Sequence, residues 1–461
     1  MYRAPLLGHQ GELLLRYTSS LQADRKIVCE VLEVLEAHVE ELRESHLIPH
    51  EASEDILREL RALKGAPEAL FAYRAEDVHE AIEMYLREKL GERAGYVGLG
   101  RSRNDHVAAA LRLKTARLLL LQLLALAELR SLLLDRAEEW AEVLMPSYTH
   151  FRPAQVSTLS LYLASVDEML SDYSEALAKA FEIALKSPLG AGASAGVSAP
   201  LSRERAAGRL FLGKLVTNAL YASGSRDFLT IALALSASLA VALSRVAEDL
   251  ILLSSPQIGY FSLPSEHLAT SSIMPHKKNP VTLEIARAAA GEALGNLVAA
   301  LSILKGLPSG YSLDMQQVNL YAVRSLELVR ETLLVLRDIF QKIEISREAM
   351  RRDLKEYPVL APDLAEIISM KTGRPFREVH AELAALVKED PGGLYGEVER
   401  RYGVKADEEA IVRRPVKGSS NPEEVREYVK SARGSVGSLR KQLEELWEKI
   451  GPSCSPSAQS S

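Results

Sequence analysis

Apolar side chains recur along most of the chain at intervals of three and four residues, which places them on one face of an α-helix. The clearest stripe is formed by Val28, Leu32, Leu35, Val39 and Leu42. Stripes of the same kind predict further helices over about 53–65, 75–91, 105–143, 201–219, 228–254, 280–305 and 317–343. No alternation of apolar and polar residues longer than a few positions competes with them, so the chain is predicted to be all-α.

One apolar run is unusual because it has almost no polar side. It spans the 17 residues 228–244, between Asp227 and Arg245. A membrane span needs about 20 such residues, and this run also contains Ser236 and Ser238. We therefore expect a helix that is buried on nearly all sides. Such a helix needs neighbours on every face, which indicates a helix bundle shared between subunits.

A change in composition divides the chain into predicted domains. Past residue 351 the helices become shorter and more charged, and the last one is predicted to begin at Asn421 and Pro422, a favoured cap and first-turn pair. We predict an N-terminal helical domain over 1–102, a central long-helix domain over 103–351 and a small helical domain over 352–461. The small, polar residues after 451 are predicted to be disordered.

Charge and cysteine content limit the partners and the location. The formal net charge is −6, with 47% hydrophobic and 26% charged residues, so neither a nucleic-acid partner nor a membrane is expected. The only two cysteines, Cys29 and Cys454, are far apart in the sequence. We expect neither a disulfide nor a zinc site, and a reducing cytoplasm is the simplest location.

The segment 271–280, between two predicted helices, reads SSIMPHKKNP. Pro275 and Pro280 interrupt any helix, so this is a loop. Its two hydroxyls, two ammonium groups and one carboxamide suit chemistry on a carboxylate. A cation beside a serine favours the alkoxide and also stabilises negative charge that develops on a bound acid. Taken by itself, the segment is better explained as a solvated, cationic surface loop.

Three further segments carry candidate chemistry, each with a plainer alternative. GRSRND at 100–105 contains Arg101 and Arg103, whose guanidinium forks match carboxylates. The plainer alternative is a helix that Asn104 or Asp105 caps, with both arginines in solvent. THFRPAQ at 149–155 offers a hydroxyl beside an imidazole, although a lone histidine is more often structural. The small-residue stretch 187–200 indicates close backbone packing or a flexible linker, and its glycines lack the spacing of a nucleotide-binding loop.

These motifs and their spacing support a resemblance to a known family. The segment 271–280 resembles the signature of the fumarase/aspartase superfamily of lyases, and Thr149, His150, Ala154 and Gln155 match its other signature. GRSRND is similar to the argininosuccinate lyase family within it. The resemblance extends from Tyr17 to about residue 380. It implies an all-α, three-domain fold whose long-helix bundle forms the core of a homotetramer.

The same resemblance implies the reaction and the site. The reaction is the elimination of fumarate from argininosuccinate, leaving arginine, in sites shared between subunits and without a metal or organic cofactor. Ser271 is the implied base, Lys277 and Asn279 face the carboxylate next to the carbanion, and His150 is paired with Glu284. The remaining implied substrate-binding residues are Ser20, Asp77, Ser102, Arg103, Asn104, Thr149, Tyr311 and Gln316. From the pattern alone, Ser20 is a helix N-cap and Asp77 a first-turn carboxylate.

Three positions depart from the family pattern. Asn319 replaces a lysine that binds a ligand carboxylate in many members, His276 replaces a glutamine and Leu99 a threonine. The first departure keeps open a related lyase that acts on adenylosuccinate or on another N-substituted aspartate. A non-catalytic helical scaffold is the alternative of a different class.

Overall fold

Helices account for nearly all the regular structure of the chain. The computed structural model describes residues 11–452 and Cys454. The α-helices in this part are α1 (Glu12–Thr18), α2 (Val28–Glu44), α3 (His50–Gly65), α4 (Val78–Leu90), α5 (Arg103–Glu139), α6 (Leu159–Ala184), α7 (Arg203–Arg209), α8 (Ala219–Gly224), α9 (Asp227–Leu253), α10 (Val281–Leu304), α11 (Met315–Lys342), α12 (Arg347–Glu356), α13 (Ala361–Thr372), α14 (Phe376–Glu389), α15 (Leu394–Tyr402), α16 (Glu408–Ile411) and α17 (Pro422–Ile450).

Short strands connect some of these helices. They are β1 (Leu144–Thr149), β2 (Arg152–Thr158), β3 (Lys186–Ser187), β4 (Lys214–Leu215), β5 (Phe261–Ser262), β6 (Ala269–Thr270), β7 (Lys278–Asn279) and β8 (Glu344–Ile345). They form the two-stranded pairs β1–β2, β3–β4, β5–β8 and β6–β7, of which only β3–β4 is parallel. The prediction of an all-α protein is confirmed, because no strand pair in the described chain forms a sheet of three strands or more.

Six long helices pack side by side into a bundle. α5 lies against α6, α11 and α17, while α10 lies between α9 and α11. Leu126 on α5, Leu243 on α9 and Leu333 on α11 are completely buried in this bundle. Each residue of a helix adds 1.5 Å, so the 37 residues of α5 extend over about 55 Å. The bundle therefore separates its two ends by several tens of ångströms.

The apolar run 228–244 forms most of α9, as predicted, and most of its residues are buried by neighbouring helices. One face is not covered within the chain, since Ile231 and Val241 are exposed. α10 is different: it is apolar but poorly covered, with Ile285, Val298 and Leu301 exposed at 67%, 64% and 49%. By length and apolarity alone, α9 and α10 would each be able to cross a membrane. The burial of α9 among other helices of the bundle is instead typical of a core helix.

Two smaller apolar cores flank the bundle. One joins α2, α3 and α4 to the first turns of α5, and the other joins α12 to α13, α14 and α15. The domain boundaries after residues 102 and 351 remain predictions. The tail after 451 lies outside the described residues, apart from Pro452 and Cys454.

The structure departs from the predicted elements in two places. The antiparallel hairpin β1–β2 was not expected, because Pro146 and Pro153 break the alternating pattern that identifies strands. Its strands pair from Leu144 with Thr158 to Thr149 with Arg152. The long helix predicted over 201–219 is only α7, followed by β4 and the start of α8. Its apolar residues, such as Leu212, are buried although the backbone that carries them is irregular and not helical.

The expectation of unpaired cysteines is also wrong, because Cys29 and Cys454 form a disulfide. Their Cα atoms are 5.8 Å apart, across a sequence separation of 425 residues. Cys29 lies on α2, and Cys454 follows the end of α17, whose Ile450 carbonyl accepts a hydrogen bond from Arg117 Nε at 2.6 Å. The Cys29–Cys454 pair was not predictable from the sequence, because the two residues are distant in the chain and only folding brings them together.

Reduction of this disulfide is expected to lower the free energy of unfolding by about 2 to 4 kcal/mol, because the bond restricts the unfolded chain over nearly its whole length. Thermal melting of the protein with and without a thiol reductant measures the change. Cys29→Ser is the control, since its melting temperature should match that of the reduced protein and should not respond to reductant. Equal melting temperatures for oxidised and reduced wild-type protein would contradict the prediction.

Candidate active site

The N-terminus of α5 is built by the GRSRND segment. Ser102 is the N-cap, and its capping box is completed by Asp105, which accepts a hydrogen bond from the Ser102 amide at 3.1 Å. Asp105 also accepts from the amides of Gly190 and Gly192 at 3.1 and 2.9 Å. Burial raises the pKa of Asp105 to about 6. The small-residue stretch is therefore packed directly against this motif through its backbone.

Glycine is required in that stretch for close approach. Gly192 has φ +61°, and a Cβ there would lie 2.6 Å from the carbonyl oxygen of Gly196. Asn104 reaches the same segment, with its Nδ2 donating to the carbonyl oxygen of Ala193 at 3.3 Å. The sequence prediction of close backbone packing here is therefore confirmed, and the alternative of a flexible linker is wrong.

The two arginines of the motif have different surroundings. Arg103 Nη1 lies 2.9 Å from Asp77 and 3.4 Å from Glu76, at the edge of the site. Arg101 is buried and paired with Glu83 at 3.0 Å. Only Arg103 is placed where a ligand would meet it, so of the two guanidinium forks expected from the sequence, one has a structural role.

Asp77 is the N-cap of α4 rather than a residue of its first turn. Its Oδ1 accepts a hydrogen bond from the Glu80 amide at 2.7 Å, while its Oδ2 accepts from Arg103. Next to it, His79 is completely buried, and this burial lowers its pKa to about 4. The imidazole is therefore neutral at pH 7, which leaves Arg101 and Arg103 as the cations of this region.

Ser20 also belongs to this end of the molecule. Its Oγ donates to Asp24 Oδ2 at 2.9 Å, and the Val78 amide donates to the same oxygen at 3.1 Å. The N-cap alternative is wrong, because the next helix, α2, begins only after Ile27. Burial raises the pKa of Asp24 to about 7, with the charge of Asp77 adding to the shift.

Sequence reasoning missed Asp24. It is a buried carboxylate beside Ser20, on a short 3-10 turn that the pattern of apolar residues does not reveal. Its spacing of four residues from Ser20 gave no usable signal, because Ser20 lies before the 3-10 turn and not on a helix.

A cavity of about 570 Å³ opens beside these groups, between the residues before α2 and the first half of α11. Ser20, Asp24, Gln316 and Asn319 line it. Gln316 Nε2 donates to the carbonyl oxygen of Thr18 at 3.0 Å. Asn319 Oδ1 is buried without a hydrogen-bond partner among the described residues, which leaves an acceptor available inside the cavity wall.

Tyr311 lies near the same end, in the connection from α10 to α11. The guanidinium of Arg226 lies 5.9 Å from the centre of its ring. Burial raises the pKa of Tyr311, so the phenol is neutral at pH 7. Ser20, Asp77, Ser102, Arg103, Asn104, Tyr311 and Gln316 are thus seven predicted site residues that one chain gathers at one end of its bundle.

The remaining predicted residues lie elsewhere. Ser271 follows β6, and its Oγ accepts hydrogen bonds from the amides of Ile273 and Met274 in its own loop, at 3.4 and 3.2 Å. Lys277 is exposed just before β7, and Asn279 is within β7. Glu284 is exposed on the first turn of α10. The loop is closed at its base by the β6–β7 pair and projects from the protein.

Thr149 is the last residue of β1 and is exposed, and His150 and Phe151 form the tip of the β1–β2 hairpin. His150 and Phe151 have φ of 51° and 57°, the left-handed conformation that a tight two-residue turn requires. Both side chains are exposed. Tyr148 and Tyr260 are joined by a hydrogen bond of 2.8 Å between their hydroxyls, which ties the hairpin to the segment after α9. The structure records no hydrogen bond between His150 and Glu284 among the residues it describes.

Helix lengths show that these groups cannot form one site within one chain. Asn104 begins α5 and the hairpin follows its end, so about 55 Å of helix lies between Asn104 and His150. Ser271 precedes α10 and Tyr311 follows it, so the 24 residues of α10 place about 36 Å between them. The predicted site residues are therefore divided between the two ends of the bundle within one chain.

Comparisons with known proteins show to which family the chain is similar. Residues 8–295 match the family model described as Lyase. The chain is 48% identical over 448 residues to the argininosuccinate lyase of Pyrococcus furiosus, covering 97% of both chains. It is 42% identical to the argininosuccinate lyase of Pyrobaculum neutrophilum, covering 91% of this chain and 95% of the other.

Solved structures have the same fold. EDDS lyase in complex with formate matches with a TM-score of 0.79 and 25% identity, over 94% of this chain and 90% of that one. A fumarate lyase:delta crystallin from Brucella melitensis matches with a TM-score of 0.71 and 19% identity, over 94% of each chain. The chain therefore belongs to the lyase family, on the branch formed by the argininosuccinate lyases.

Proposed function

We propose that the protein catalyses the reversible cleavage of argininosuccinate to arginine and fumarate, a step of arginine biosynthesis. The observation that carries this proposal is the 48% identity to an argininosuccinate lyase over 97% of both chains. The candidate residues support it, since groups suited to bind a guanidinium and groups suited to stabilise a carbanion are both present.

We infer that the active unit is a homotetramer with sites shared between subunits. Two features support this. The candidate residues lie at opposite ends of long helices, and α10 carries an exposed apolar row that includes Ile285, Leu294 and Val298. A soluble monomer rarely leaves such a row uncovered, and antiparallel packing of α10 against other subunits would bring the loop of one chain to the α5 N-terminus of another.

Ser271 is the proposed base. It removes a proton from the carbon next to the succinyl carboxylate, and the product of that step is a dianionic aci-carboxylate. Lys277 and Asn279 are placed on the same loop to bind this developing charge. Preorganised donors of this kind contribute on the order of 3 to 4 kcal/mol each to a transition state. The electron sink is the substrate's own carboxylate, so the proposed steps use only side chains.

His150 and Glu284 are proposed to serve the leaving group. When the carbon–nitrogen bond breaks, the departing guanidine nitrogen needs a proton, and an imidazole polarised by a carboxylate is a suitable donor at neutral pH. The exposure of both side chains in a single chain is consistent with a pair that forms across a subunit interface.

The arginine half of the substrate is proposed to bind beside Asp24 and Asp77. The Asp77 carboxylate matches a guanidinium. Burial raises the pKa of Asp24 to about 7, and a bound cation favours its carboxylate form, which Ser20 orients through its hydrogen bond.

Asn319 supplies a neutral amide in place of a lysine. Lys26 and Arg324 line the same cavity, where they are paired with Glu327 and Glu292 at 3.3 and 2.8 Å. A substrate carboxylate at that end would have to compete with these partners for their positive charge.

We propose a cytoplasmic location. The proposal rests on the similarity to argininosuccinate lyases over nearly the whole chain. The cysteines no longer support it, because Cys29 and Cys454 form a disulfide.

The decisive experiment is a fumarate assay on the purified protein. Argininosuccinate should give a rise in ultraviolet absorbance from fumarate, together with arginine in equal amount. Adenylosuccinate and N-substituted aspartates, tested in parallel at the same concentration, should give none. Turnover of one of these instead would identify the related lyase, and absence of both turnover and binding of arginine with fumarate would support the scaffold.

A further inference from the structure

A cluster of side chains holds the base of the Ser271 loop and has no part in the proposed chemistry. His267 is buried on a 3-10 turn, four residues before Ser271. Its Nε2 donates to Asp338 Oδ2 at 2.9 Å. Its Nδ1 is hydrogen-bonded to Thr282 Oγ1 at 3.1 Å. The same Thr282 hydroxyl donates to the His267 carbonyl oxygen at 3.3 Å.

The three residues connect the two ends of the loop to the bundle. His267 precedes β6, Thr282 follows β7 on the first turn of α10, and Asp338 is near the end of α11. The imidazole therefore joins the chain entering the loop to the chain leaving it, and fixes both to a third element. We call His267, Thr282 and Asp338 the loop clamp.

The loop itself makes few contacts that would hold it in place. Side chains 272–278 are exposed, and the β6–β7 pair contains only the partners Ala269 with Asn279 and Thr270 with Lys278. Ser271 and Lys277 are each directly next to a strand of this pair. A small movement at the base would therefore displace both of them.

The same region contains acidic groups close enough to hold a metal ion. Glu266, His267 and Asp338 present ligand atoms within 4.8 Å of one another. The ammonium group of Lys342 already lies among them, bound to Glu266 and 2.8 Å from Asp338. Lys342 thus supplies the positive charge that the two carboxylates need, and Asp338 is held in place to accept from His267.

We propose that His267 is a positioning residue of the lyase reaction: through Thr282 and Asp338 it fixes the base of the catalytic loop, so that Ser271, Lys277 and Asn279 meet the substrate preorganised. The inference rests on the proposed lyase function. Its physical basis is that an error of about 1 Å in the placement of reacting groups costs about 100-fold in rate. Groups on an exposed loop gain such precision only from a rigid support.

The test compares variants of the clamp in the intact protein. His267→Phe and Thr282→Val are expected to lower kcat for argininosuccinate by about 10- to 100-fold, with unchanged KM. Arginine affinity should also stay unchanged, since the groups proposed to bind the arginine half, Asp24 and Asp77, belong to another chain and are not held by the clamp. Thr282→Ser keeps the hydroxyl and should restore kcat. Glu266→Gln leaves all bonds of the clamp in place and should behave as wild type.

Hydrogen exchange supplies a readout that does not depend on turnover. The amides of residues 269–279 should exchange faster in His267→Phe than in wild type, while those of α5 should not change. Slower turnover and faster loop exchange together support the clamp. The clamp proposal is overturned if His267→Phe has the kcat and the loop exchange of wild type. It is also overturned if Glu266→Gln loses as much kcat as His267→Phe. If wild type does not turn over argininosuccinate but loop exchange is still faster in His267→Phe, the proposed lyase function is wrong and the clamp still holds the loop.

Discussion

Replacing Ser271 by alanine is expected to lower kcat for argininosuccinate by about 1,000-fold, because general base catalysis by a positioned side chain contributes roughly 10²- to 10⁴-fold. The groups proposed to bind the arginine half, Asp24 and Asp77, are supplied by another chain and do not contact the Ser271 side chain within its own chain. KM should therefore change little, and arginine should bind to the variant as it does to wild type. Steady-state kinetics and calorimetry measure the two effects separately.

Ser272 provides a matched control in the same loop. It is the next residue, it has the same hydroxyl, and its side chain is exposed. Ser272→Ala should retain turnover close to that of wild type. If Ser272→Ala lost activity while Ser271→Ala kept it, the base would be Ser272. If both variants kept turnover, the proton would be removed by a group outside this loop.

The sequence predicted the long helices well because each carries its own evidence. An apolar stripe, a cap and a terminating glycine or proline are local features, and α3, α10 and α11 begin and end within three residues of their predicted bounds. Asn421 and Pro422 likewise begin α17 as cap and first-turn residue. The hairpin and the disulfide depend on tertiary packing, which leaves no local pattern to recognise.

Motifs and a family resemblance supply the residues of the candidate site, and the fold supplies their positions in one chain. The site prediction for Ser271, Asn104 and His150 stays a prediction, and the helix lengths place Asn104 at the end of the bundle opposite to Ser271 and His150. Asp24 and His267 could not be recognised from motifs, because each acts through contacts with residues distant in sequence. Burial and hydrogen bonding, which require the fold, identify both.

The separation of these residues leads to a second prediction, made with mixtures of inactive subunits. Ser271→Ala damages the loop end of each chain and Asn104→Ala damages the α5 end, so each variant alone should be nearly inactive. If each site takes Ser271 from one subunit and Asn104 from another, random co-assembly at equal amounts leaves both intact in about a quarter of the sites of a symmetric oligomer. Activity should therefore recover to about one quarter of that of wild type.

A pair of variants from one end gives the necessary control. Ser271 and Lys277 belong to the same loop of the same chain, so co-assembly of Ser271→Ala with Lys277→Ala leaves every site with one damaged group and should recover nothing. Native mass spectrometry establishes that the subunits have mixed. Mixed oligomers of Ser271→Ala and Asn104→Ala that stay inactive would mean that these two residues never share a site. Activity that recovers in the first mixture but not in the second would require that the loop and the α5 N-terminus of one site come from different chains. The helix lengths lead to the same expectation, because α10 extends over about 36 Å and α5 over about 55 Å, at about 1.5 Å for each residue.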